Sequence, residues 1–151
     1  MPRARRAPTF RQLTASEVHS VLARNNVGRL AYTYREIVDI EPIHYVHAGE
    51  WIYGRTSYGT KLTMLAHNRW VAFEVDEIDG LFEWRSVVVK GAVYVLSPEG
   101  TAEARQEFEH ALELLRGLIP DTLTESDPTP QRTVLFRISM DEAEGRAATR
   151  H

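Results

Sequence analysis

The chain has 151 residues, no cysteine and a net charge of −3, with 43% hydrophobic and 26% charged residues. That length and apolar content suit a single domain with a real core. The missing cysteine excludes disulfides, thiolate catalysis and Cys-ligated metal centres, and the small negative charge gives no global pull toward nucleic acid or an anionic membrane.

The N-terminal stretch "MPRARRAPTFR" carries Arg3, Arg5, Arg6 and Arg11 and no acid. It has no apolar core, so it is not a secretory signal. Residues 1–11 read as a basic, flexible tail, and residues 12–151 as one domain. No apolar run approaches the length of about 18 residues needed for a membrane helix. With no cysteine, a reducing, cytoplasmic location is the expectation.

"LTASEVHSVLARNNVG" reads as the first helix. Thr14 is an N-cap, Glu17 completes a capping box, and Val18, Val21 and Leu22 form the apolar stripe. "GRLAYTY" and "IVDIEPIHYVH" follow as strands joined by a hairpin near Arg35-Glu36. Pro42 marks a bulge or an unpaired edge in the second run. "WIYGR" is a third strand, and "KLTMLAHN" a short helix after the polar stretch "RTSYGTK". "WVAFEVDEI" alternates with period 2. "WRSVVVKGAVYVLS" places Val87, Val89, Gly91, Val93 and Val95 on one face. The longest helix is expected to be capped by Ser97 with Pro98 at its first position. It buries Ala104, Phe108, Ala111, Leu112, Leu115 and Leu118 and stops at Pro120. "DTLTESDPTPQ" reads as a loop, "RTVLFRISM" as the last strand and "DEAEGRAATRH" as an exit tail. Consecutive strands with hairpin-scale joins favour a small antiparallel barrel flanked by helices.

"RTSYGTK" concentrates donors suited to a phosphate. Arg55 offers a bidentate fork and Lys61 a point charge. Thr56, Ser57 and Thr60 offer hydroxyls, and Gly59 permits positive φ. A helix starting there turns its positive end to the same spot. The competing reading is a capped strand-to-helix turn. His44 and His47 lie three apart, on opposite faces of a strand, so they do not share a metal. Trp84, with Arg85 or Ser86, is either a packing residue or a wall for an aromatic ligand. No nucleophile or acid–base pair stands out.

"VGRLAY", "EPIHYVHAGEWIYGRTSYGTK", "VAFEVDE" and "WRSVVVKGAVYVL", in this order, resemble the pyridoxamine 5′-phosphate oxidase-like split-barrel flavoproteins. The branch that includes nitroimidazole-resistance reductases is the most similar, and "FRISMDEAEGRAA" is similar to its last strand and ending. The resemblance covers about residues 13 to 147. It implies a mainly β fold, a six-stranded antiparallel split β-barrel, working as a homodimer with FMN in a groove between subunits. By position, Arg55, Ser57 and Lys61, helped by Thr56, would meet the FMN phosphate. Pro42, Ile43, His44 and Tyr45 would run beside the ring edge and offer backbone groups. Trp84, Ser86 and Val87 would meet the cofactor or the substrate. The implied activity is electron transfer to a small organic acceptor, such as a nitroaromatic or a quinone. Relatives that bind deazaflavin F420 or haem, or that only carry or sense a flavin, leave those alternatives open. The C-terminal substrate-binding elements of pyridoxamine phosphate oxidases proper have no match after Met140.

Overall fold

The computed structural model describes residues 6–150, the side chains of Thr60, Lys61 and Met64 excepted. Its strands are β1 (Thr9–Gln12), β2 (Val27–Tyr34), β3 (Ile37–His44), β4 (Val46–Ala48), β5 (Trp51–Thr56), β6 (Trp70–Gly80), β7 (Glu83–Leu96), β8 (Val134–Ser139) and β9 (Glu142–Thr149). Its helices are α1 (Ala15–Arg24), α2 (Thr60–His67) and α3 (Ala102–Leu118). The strands run β3-β2-β6-β7-β8-β5-β4, with β9 on β7 and β1 on β9, and every pairing is antiparallel.

This is a split barrel, not a closed one. β3 pairs with β2 but forms no ladder with β5, and the short β4 covers only Trp51–Tyr53 of β5. A seam is therefore left between the Glu41–Ile43 part of β3 and the Gly54–Thr56 part of β5. β7 is long enough to serve both halves of the sheet. Trp84–Lys90 pair with β9, and Val93–Leu96 pair with β8.

The barrel interior holds Leu30, Ile43, Ile52, Phe73, Val75, Val87, Val89, Phe136 and Ile138. α1 closes it with Val18, Val21 and Leu22, and α2 adds Leu65. The capping box of α1 forms as its sequence requires: Thr14 Oγ1 accepts from Glu17 N–H, and Glu17 accepts from Thr14 N–H. α3 lies outside the barrel, where Ala111 and Leu115 pack against Tyr53, Leu96 and Leu135. Among the described residues no helix is long and apolar enough to cross a membrane.

Several expectations need correction. Among the described residues nine strands form where six were expected, while the mainly β, antiparallel split-barrel class holds. The run through His44 and His47 breaks at Tyr45 into β3 and β4, because Tyr45 N–H bonds to Asn26 C=O and its ring turns into the core. Residues 9–11, placed in the tail, belong to β1, and the supposed exit tail is β9, which pairs along β7. Arg3 and Arg5 lie outside the described residues. α3 is capped by Thr101, not Ser97, since Thr101 Oγ1 accepts from Ala104 N–H. Val95 leaves the buried face of β7 and is half exposed, past the point where β7 changes partner. The hairpin at Arg35-Glu36 holds as expected. Both residues take positive φ, 50° and 67°, as a two-residue turn of the I′ kind demands.

Candidate functional site

The seam between β3 and β5 opens into a cavity of about 340 Å³. One wall is Glu41, Pro42 and Ile43 of β3, the second is Arg55 to Gly59, and the third is Gln131 and Arg132. The cavity exists because the barrel is split. β3 keeps one backbone edge without a strand partner there, and an edge strand must find acceptors and donors elsewhere. Gly59, at φ 151°, turns the chain out of the strand region and into α2. Its carbonyl accepts from Thr63 N–H, so the first turn of α2 starts at the cavity's rim.

Arg55 lines the cavity, but most of its N–H groups donate to the protein. Its guanidinium is buried and spent on the protein. Nη1 and Nη2 donate to Asp127 Oδ1 and Oδ2 at 3.2 and 2.5 Å. Nε and Nη2 donate to Arg132 C=O at 2.9 and 2.7 Å, and Nη2 also to Thr129 C=O. A guanidinium has five N–H groups, so at most one is left for a ligand. Asp127 in turn accepts from the N–H groups of Leu123 and Thr129. The hydrogen bonds from Arg55, outweighing burial, hold its carboxyl well below the usual carboxylate range. Arg55 thus ties the loop before β8 to the cavity wall. Its grip on the Arg132 carbonyl sets Arg132 at the cavity.

Thr56 and Ser57 line the cavity. The Lys61 side chain lies outside the described residues. Arg132 lines the third wall, half-buried, and its guanidinium has no hydrogen-bond or ion-pair partner among the described residues. Sequence reasoning missed it, along with Asp127 and Gln131. They stand over 70 positions from Arg55, and only the β5–β8 pairing brings them together.

Other expected residues separate. Pro42 and Ile43 line the cavity, but His44 is exposed outside it. Tyr45 does not line the cavity: it is buried, its hydroxyl donates to Leu22 C=O at 2.7 Å, and its ring meets Phe73 edge-on. Val87 does not line it either: odd-numbered residues of β7 point inward here, and its side chain is fully buried in the barrel. Trp84 and Ser86 point the other way, onto the outer face of the sheet. Trp84 lines a separate cavity of about 450 Å³ with Phe10 and Arg146. Ser86 Oγ donates to Glu74 Oε2 at 3.1 Å. Burial, then the nearby Asp76, raises the Glu74 carboxyl above its ordinary range.

The histidines also sort differently from a strand reading. His47 meets His19 of α1, with Nδ1 of His19 3.1 Å from Nε2 of His47. Among the described residues, no cluster of three histidine or acidic side chains is placed to hold a metal.

A family model described as pyridoxamine 5′-phosphate oxidase matches residues 14–147. The chain belongs to this family. An uncharacterized protein of Rhizobium meliloti (strain 1021) is 30% identical over 147 residues, which span 91% of this chain and 95% of that one. A FAD-binding protein of Mesorhizobium loti superposes with a TM-score of 0.74 at 27% identity, covering 95% of this chain and 99% of that chain. The FAD-binding protein of Mycobacterium smegmatis gives 0.65 at 27% identity, over 91% and 98%. A proposed 5-nitroimidazole antibiotic resistance protein of Bacteroides thetaiotaomicron gives 0.71 at 16% identity, over 97% and 92%, a likeness of fold alone. The split barrel of this pyridoxamine 5′-phosphate oxidase family member is thus shared with solved flavin-binding proteins.

Proposed function

We propose that this family member binds a flavin nucleotide, with the phosphate of its FMN unit in the seam cavity. The observation that carries the reading is the cavity's chemistry. The Thr56 and Ser57 hydroxyls, the rim of α2 and Arg132, whose guanidinium has no partner among the described residues, surround one space beside the edge of β3 that forms no strand ladder there among the described residues. Hydrogen bonds to a charged group are each worth about 1.5–3 kcal/mol, so a phosphate gains from several at once. The open edge at Pro42 and Ile43 suits a flat ring that carries both donors and acceptors. Two similar structures at 27% identity are those of FAD-binding proteins, which supports a flavin.

Titrating purified protein with FMN should quench flavin fluorescence in a saturable way. The double change Thr56→Val, Ser57→Ala removes two hydroxyls with little change of shape and should weaken FMN at least tenfold. No quenching and no thermal shift with any flavin would rule the reading out.

A bound flavin supplies the electron transfer itself, while the protein binds and orients it. The activity that follows is oxidoreduction, with electrons passed to a small organic acceptor of nitroaromatic or quinone type. Reduced, flavin-loaded protein should be reoxidised by such an acceptor faster than free reduced flavin is, and equal rates would argue for a carrier.

Within the same reading, a second copy of the chain covers the outer face formed by β3, β2, β6 and β7. α3 shields only the β5–β8 side. The uncovered face leaves Val38, Ile40, Trp70 and Ile78 exposed. Trp84 and Ser86 lie on that face, away from the chain's own seam cavity, so a dimer is the arrangement that brings them to a flavin. Light scattering should give twice the 17.3 kDa chain mass, and a monomer at micromolar concentration would contradict the shared groove.

A further inference from the structure

α1 and β4 meet at a pair of histidines that the seam cavity does not use. His19 Nδ1 of α1 lies 3.1 Å from His47 Nε2 of β4. The ring centroids are 5.0 Å apart and the ring planes are tilted by 52°. That is closer than a straight N–H···N bond would leave two imidazoles, so the facing nitrogens converge at an angle. The outward nitrogens have acceptors of their own. His19 Nε2 lies 3.4 Å from Glu50 Oε1. His47 shares a backbone hydrogen bond with Gly49 that favours its charged form, so the ring gives an N–H there. Nε2 of His47 is turned to His19, which leaves Nδ1 as that donor. A neutral imidazole carries its proton on one nitrogen and a lone pair on the other. With the protons on the outer nitrogens, two lone pairs face each other. They repel unless a cation stands between them. A carboxylate and a backbone carbonyl are also the acceptors that fix the tautomer of metal-ligating histidines.

We propose that His19 and His47 form an open site for a late first-row divalent cation, copper(II) the tightest among them, which ties α1 to β4. An ion about 2.05 Å from each nitrogen would meet the pair, 3.1 Å apart, at an angle of about 98°. That lies between the right angle of a square plane and the tetrahedral angle. Imidazole suits these ions, and their general order of affinity puts copper ahead of nickel and zinc. Water fills the remaining positions, since no cluster of three histidine or acidic side chains is formed among the described residues. The ion has a way in, because the His19 side chain is 37% exposed. The backbone around the site is already fixed. His47 sits opposite Ile52 in the β4–β5 ladder, and Glu50 C=O accepts from Met140 N–H at 3.2 Å.

The test is a calorimetric titration of the full chain with copper(II) chloride in a non-chelating buffer at neutral pH. One equivalent should bind in the micromolar range, and its electron paramagnetic resonance spectrum should show two imidazole nitrogens on the copper. His19→Gln and His47→Gln should each weaken that equivalent at least tenfold. His44→Gln changes an exposed histidine outside the pair and should leave it within about twofold. His19 lies at the surface, so His19→Gln carries the test if His47→Gln does not fold, and the melting temperature checks both. Zinc should bind the same site more weakly and raise the melting temperature of the wild type but not of His19→Gln. Copper held equally well by the wild type and His19→Gln would mark it as an adventitious ion only and overturn the proposal. No one-to-one binding in the wild type would overturn it as well, leaving a hydrogen bond between the two rings.

Discussion

Asp127→Ala will cost about 3 kcal/mol of stability and lower the melting temperature by roughly 6–12 °C. Both side chains of the Arg55–Asp127 pair are almost fully buried, 4% and 2% exposed. Removing one partner leaves the other charge in a site with no replacement for water. The carboxylate also holds the N–H groups of Leu123 and Thr129, so the loop from Leu123 to Arg132 loses its centre. Arg132 C=O remains bonded to Arg55, but the guanidinium that makes that bond is then unneutralised. Two changes should follow together: lower stability and weaker flavin binding. Replacing both partners by apolar residues, Arg55→Met with Asp127→Leu, should recover much of the stability, since a buried pair is roughly matched by good apolar packing. Flavin binding should stay weak in that double variant, because Arg132 has lost its anchor. A double variant as unstable as the single one would show that the pair does more than neutralise itself.

The same pair sets an acid limb. The folded-state pKa of Asp127 is depressed. Its contribution is therefore fully present above the ordinary aspartate value of about 3.9 and is lost as pH falls through the folded value. Chemical denaturation from pH 5 downward should show a steeper loss in the wild type than in Asp127→Ala, and parallel slopes would contradict the assignment.

Gly91→Ala will prevent normal folding, at a cost of at least about 3 kcal/mol. Gly91 sits where β7 passes from β9 to β8, and the chain between those two strands crosses directly over it. A Cβ there would lie 1.6 Å from Ser139 O and 2.7 Å from Ser139 C. Both are backbone atoms, and the same segment is pinned by Ser139 Oγ accepting from Ala92 N–H at 3.0 Å. Neither side can yield without opening the corner of the barrel. Gly117→Ala is the matched control. A Cβ at that position in α3 meets nothing within 4 Å, and removing a helical glycine is worth up to about 1 kcal/mol in favour of folding. Soluble Gly91→Ala protein with a wild-type melting temperature would show that the corner is looser than the close approach implies.

Features that depend on near neighbours were legible in the sequence. The Thr14–Glu17 capping box, the Arg35-Glu36 hairpin and the period-2 pattern of β6 are all written within a few residues. The order of strands and the position of "RTSYGTK" before α2 were enough to bring Arg55, Thr56 and Ser57 to one wall of the seam cavity. What escaped was decided by residues far apart in the chain. Arg55 looks like a ligand clamp beside Thr56 and Ser57, and only the β5–β8 ladder brings Asp127 up to occupy it. Arg132 reads as an ordinary basic residue before a strand, yet the Arg55 grip on its carbonyl turns it to the cavity. The β7 valines look alike in sequence, but Val87, Val89 and Val93 are buried in the barrel core while Val95 is half exposed. β9 carries small and charged residues with weak strand preference, and its pairing along β7, not its own composition, makes it a strand.

The central claim is that the seam cavity is a phosphate site for a flavin. Its most direct test is the ratio of affinities for FMN and riboflavin, which differ only in the phosphate, measured by fluorescence titration of the same protein sample. Several charge-assisted hydrogen bonds predict that FMN binds on the order of a hundredfold more tightly. Equal affinity for the two would contradict the account, because the cavity would then contribute nothing to holding the ligand.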